Sequence, residues 1–126
     1  MRLARIVALL VPLALVAATC SRSPQSCLLF DADPNGEMAV RAAAAEIAHR
    51  RGLDFGDKSG ESPWPELSIY FQLSDGNSEV IAQKRRNETG WVCFYGSEKS
   101  EVLSHLVSDF SDFFRSAGIP FRSGRP

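Results

Sequence analysis

LSIYFQLSDGNSEVIAQKRRNETGWVCFY, residues 67–95, is the stretch that decides the fold. Leu67, Ile69, Phe71 and Leu73 alternate with Ser68, Tyr70, Gln72 and Ser74. That period of two is the signature of a half-buried strand. Asp75, Gly76, Asn77 and Ser78 supply hairpin-turn chemistry. The chain then returns as a second strand over 80–86, turns at 87–90 and runs out as a third over 91–95. Three consecutive antiparallel strands follow from this reading.

Working outward, residues 97–117 carry the strongest helical periodicity. Leu103, Leu106, Phe110, Phe113 and Phe114 fall at three- and four-residue steps. Ser97 is read as the N-cap, with Glu98 and Glu101 in the first turn, and Gly118 and Pro120 end the helix. Before the hairpin, residues 54–65 hold Gly56, Gly60, Pro63 and Pro65 and read as loop. An earlier helix runs from Pro34, capped by Asp33, to about Arg51, with Gly52 as its C-terminal stop. Its buried stripe is either Met38, Ala42, Ala45 and Ala48 or Val40, Ala44 and Ile47. Residues 27–30 form a short apolar run and a first strand. The order strand, helix, three strands, helix predicts an α+β fold: a small antiparallel-rich sheet with two helices packed on one face.

The first nineteen residues read as an export signal. Arg2 and Arg5 stand in the charged segment, and an apolar run of about 13 residues follows, against roughly 20 for a membrane span. Residues 1–19 are therefore assigned as signal peptide, 20–26 as a polar tether and 27–126 as a single domain. Val16, Ala17, Ala18, Thr19 and Cys20 resemble the lipobox of bacterial lipoprotein precursors, with Ala18 in a fitting place and Ala17 and Thr19 departing from that family's preferences. The resemblance implies lipidation of Cys20 and a membrane anchor. With Ser21 next, it implies the periplasmic face of the outer membrane in a Gram-negative host. Ordinary signal cleavage before Thr19 is the other processing route.

Removal of the signal takes away two basic residues and no acid, so the formal charge moves from −1 to −3. Mild acidity argues against nucleic acid as a partner. Of the three cysteines, lipidation of Cys20 leaves Cys27 and Cys93 as a pair, and a disulfide between them is the expectation. Cys20–Cys27 is the competing pairing, with Cys93 free.

Candidate chemistry is sparse. Asp31, Asp33 and Asn35 with Gly36 match the start of a calcium loop, but the twelfth position is Ala42, where a bidentate acid belongs. They are weak metal candidates, and a capped helix entry accounts for them. A strand ending in Asp31 and Asp33 also resembles the first motif of haloacid-dehalogenase-type phosphatases. That resemblance implies a nucleophile at Asp31 and a general acid at Asp33, in a domain much longer than this one. No cofactor is expected. The partner-contact candidates are Tyr70, on the polar side of its strand, and the basic run Lys84, Arg85 and Arg86 at a hairpin end. The expected function is that of an exported, lipid-anchored, non-enzymatic protein-binding module of the assembly, inhibitor or immunity type. The alternatives are a small-ligand or ion binder and a hydrolase built on Asp31 and Asp33.

Overall fold

A computed structural model describes residues 23–126. The signal segment and Cys20 lie outside the described residues. In chain order the elements are β1 (Ser26–Phe30), α1 (Pro34–Arg51), β2 (Asp54–Asp57), β3 (Leu67–Ser74), β4 (Glu79–Arg85), β5 (Gly90–Tyr95), α2 (Glu101–Ala117) and β6 (Phe121–Ser123). The strands make one six-stranded sheet, every pair antiparallel, in the order β2-β3-β4-β5-β1-β6. The fold is α+β.

Alternation along the central strands sends one set of side chains toward the helices. Leu28, Phe30, Ile69, Phe71, Leu73, Val80, Val92 and Phe94 share a buried cluster with Val40, Ala44 and Ile47 of α1 and Leu106, Phe110 and Phe114 of α2. Phenylalanine rings fill its middle. Phe30 stacks on Phe114 with ring centroids 5.0 Å apart, and Phe94 meets Phe110 edge-on at 5.9 Å. Both helices therefore cover the same face, and among the described residues the opposite face carries none. The α1 stripe is the one through Val40, Ala44 and Ile47; Met38 belongs to the other side and is 67% exposed.

The caps explain the helix ends. Asp33 Oδ1 accepts from the Gly36 N–H (2.7 Å), Pro34 opens α1, and Gly52 closes it with φ 69°. At α2 the N-cap is Ser100, whose Oγ accepts from the Leu103 N–H (3.2 Å), and not Ser97. Ser97 starts a separate turn that delays the helix, its carbonyl accepting from the Ser100 N–H. Arg51 and Asp109 tie the helices together with two hydrogen bonds of 2.8 and 3.0 Å.

Two strands escaped the sequence reading. β2 occupies part of the expected loop and pairs with β3, where Phe55 rests against Phe71 at 5.9 Å. β6 pairs with Leu28–Phe30 on the far side of β1. Both are short edge strands, too brief to show alternation, and they form because a longer neighbour offers its open backbone.

Cys27 and Cys93 are joined in a disulfide across directly paired residues of β1 and β5. Both alternate with core residues, so the bridge lies on the side of the sheet away from the helices. It joins neighbouring strands that stand at opposite ends of the sequence. Among the described residues, no helix is long and apolar enough to cross a membrane.

Candidate functional site

The face opposite α1 and α2 is built from cross-strand rows. Tyr70 pairs with Gln83, Gln83 with Trp91, Trp91 with Leu29, and Leu29 with Arg122. The next row runs Gln72, Ile81, Cys93 and Cys27. Tyr70, Trp91, Gln83 and Ile81 are all partly exposed.

Tyr70 is held by the loop before its own strand. Asp57 Oδ1 accepts from the Ser59 N–H and hydroxyl at 3.0 and 2.6 Å. The Ser59 Oγ in turn accepts from the Tyr70 N–H at 2.9 Å, and the Tyr70 carbonyl accepts from the Lys58 N–H at 2.8 Å. The same loop carries Trp64 onto Tyr70, edge to face at 6.1 Å. Trp64, Leu67, Tyr70, Gln83 and Arg85 enclose a recess of about 260 Å³. Trp64 is 49% exposed and Arg85 is exposed, so the recess opens to solvent. Burial of the Asp57 carboxyl opposes its ionisation. The bonds from Ser59 and Arg41 outweigh this and hold its pKa below the ordinary carboxylate value.

The run at 84–86 divides. Arg85 joins the recess just described, while Arg86 lines a different cleft on the helix side. Lys84 is not a surface cation at all. Its side chain is 2% exposed, and its ammonium donates to Glu37 Oε2 at 2.7 Å and to the Arg85 carbonyl at 3.2 Å. The reason is register: position 84 shares a face with Val80 and Ala82, and that face looks at α1. Ser68 also donates to Glu37 Oε2, at 2.6 Å. A register shift between Leu67 and Ile69 brings Ser68 there, against the plain alternation of β3.

Asp31 and Asp33 line two shared hollows beside the start of α1, and each carboxylate is engaged by a neighbour. Asp31 Oδ1 accepts from the Thr89 hydroxyl at 2.7 Å, Asp33 caps α1, and Glu37 is committed to Lys84 and Ser68. Asn35 is exposed in the first turn of α1. Among the described residues no group of three or more His, Cys, Asp or Glu side chains could hold a metal ion. Both His49 and His105 are exposed on their helices.

Set against known proteins, the chain matches no family model, no curated protein and no solved structure.

The sequence singled out Tyr70 and Arg85. It missed Trp64 as their companion, because a loop tryptophan carries no periodicity. It also missed the Glu37–Lys84–Ser68 cluster, which needs the pairing of β3 and β4 and the packing of α1 to exist.

Proposed function

We propose that this protein is an exported, lipid-anchored, non-enzymatic module that binds a protein partner through the recess of Trp64, Tyr70 and Arg85. One observation carries the reading: the three side-chain types that most often dominate protein–protein binding energy meet around one solvent-open hollow, on the face opposite α1 and α2. Trp64 and Tyr70 offer large rigid area with little conformational entropy to lose, and Arg85 offers a forked donor for an acidic group. The disulfide is consistent with an oxidising compartment, where such a bond persists. Cys20, three residues before the described chain begins, supplies the anchor in this reading.

Photo-crosslinking in the native envelope tests it. A crosslinking residue at position 70 is expected to give one dominant protein adduct, lost with Arg85→Glu. The same residue at position 102, exposed on α2, is expected to give none of it. Identical adducts from both positions, or none from position 70, would reject the recess as the contact surface. The anchor is checked separately: Cys20→Ser should release the protein from the membrane fraction.

A further inference from the structure

A second hollow, a cleft of about 550 Å³, opens where the first turn of α1 meets the end of β4 and the turn after it. Its floor is built of charge. Lys84 and Glu37 form a buried ion pair, and Ser68 is turned onto the same carboxylate oxygen by the irregularity in β3. An apolar pair would fill this space without the desolvation cost of two ions. A strand irregularity that re-aims a side chain is a feature that gathers beside binding sites.

Three cations, Arg41, Lys84 and Arg86, and two carboxylates, Asp33 and Glu37, line the cleft, and the cations keep donors to spare. Arg86 makes no hydrogen bond or ion pair among the described residues. Arg41 spends Nε on Asp57 at 2.8 Å and keeps its terminal nitrogens free. Lys84 has used two of its three protons. On the acidic side, Glu37 Oε2 already accepts twice, and Asp33 Oδ1 caps α1. The wall includes Pro34 and the exposed Met38.

We propose that this cleft binds a carboxylate carried on a small apolar body, with the carboxylate on Arg86 and the free nitrogens of Arg41 and the body against Pro34 and Met38. A planar monoanion suits the arginine fork. A dianion such as phosphate is disfavoured, because Asp33 and Glu37 stand in the same lining. The source is either a free organic acid or the C-terminal carboxylate of a polypeptide. This inference stands apart from the recess on the other face and does not depend on it.

Titration of the purified protein, followed by amide NMR shifts, decides. N-acetyl-leucine is expected to saturate the cleft resonances, and N-acetyl-leucinamide to bind about tenfold more weakly or worse, the loss of one charge-assisted contact. Arg86→Gln should weaken N-acetyl-leucine by a similar factor and leave the melting temperature unchanged, since Arg86 supports no internal contact. A pentapeptide ending in leucine with a free carboxylate distinguishes the sources. Tighter binding than N-acetyl-leucine points to a chain terminus, and equal or weaker binding to a free acid. Equal binding of acid and amide, failure of either to saturate, equal competition by inorganic phosphate, or unaltered affinity in Arg86→Gln would overturn the proposal. His105→Gln, exposed on α2 and lining neither hollow, serves as the control and should leave this titration unchanged.

Discussion

Lys84 occupies a strand position where alternation calls for an apolar side chain, and its charge is tolerated there because Glu37 reaches it from the first turn of α1. Removing one member of such a pair leaves the other buried and uncompensated. Glu37→Gln is expected to lower stability by about 3 kcal/mol, and combining it with Lys84→Met to restore most of that loss, as urea unfolding would register. Gly90 lies against the same lysine. A Cβ there would come within 2.9 Å of Lys84 Cβ and 2.7 Å of the Phe30 ring. Gly90→Ala should therefore cost about 1–3 kcal/mol through overpacking. Neither feature was legible in the sequence, where Lys84 reads as one of three turn cations and Gly90 as a turn residue. Their meaning depends on β4 lying between β3 and β5, and on which face α1 covers. Tyr70 was legible, because its position on the polar side of a strongly alternating strand follows from local pattern alone.

The elements that could be read were those with enough length to display a period. β3, β4, β5 and the apolar side of α2 follow from spacing, and α1 from its caps. β2 and β6 could not, since four and three residues show no alternation. Their hydrogen bonds come from the edges they join. The turn chemistry that connects these elements predicts an acid response. Two N–H groups, of Ser78 and Asn77, donate to the Asp75 carboxylate at 2.7 and 2.9 Å and hold its pKa below the ordinary value. Asp57 is lowered as well. A carboxyl whose folded pKa is depressed stabilises the fold above the ordinary carboxylate pKa, near 4, and loses that contribution as pH falls through the folded value. The unfolding midpoint is expected to drop below about pH 4, and less steeply when both are replaced by Asn. The disulfide joins β1 to β5 over a sequence separation of 66. Its loss in Cys27→Ser with Cys93→Ser should cost about 4 kcal/mol by denaturant unfolding, the value expected for constraining so long a loop in the unfolded chain.

At the scale of the molecule, antiparallel pairing gives the sheet two distinct ends. Ser26 stands opposite Phe94, while Phe30, about four residues or ~13 Å further along, stands opposite Gly90. The chain enters at one end, and the cleft above Lys84 opens at the other. An anchor at Cys20 would thus direct the cleft away from the bilayer. In vesicles carrying the lipidated protein, a soluble protease or thiol reagent should reach a cysteine placed at Arg86 as fast as it does in the detergent-solubilised form. Slower labelling on vesicles would mean that the cleft end lies against lipid.

The position of the disulfide has a mechanical consequence. Cys27 is the second residue of the first strand, so any tension drawn through the N-terminus arrives at a covalent link after one residue of β-structure. Such a load would pass from β1 into β5, in the interior of the sheet, and the hydrogen bonds of β1 beyond Cys27 would be shielded from it. A molecule held by its front end and pulled from elsewhere would keep β1 clipped to β5. In a single-molecule pulling experiment, reduction of the bridge should turn one abrupt rupture into an earlier peeling of the first strand.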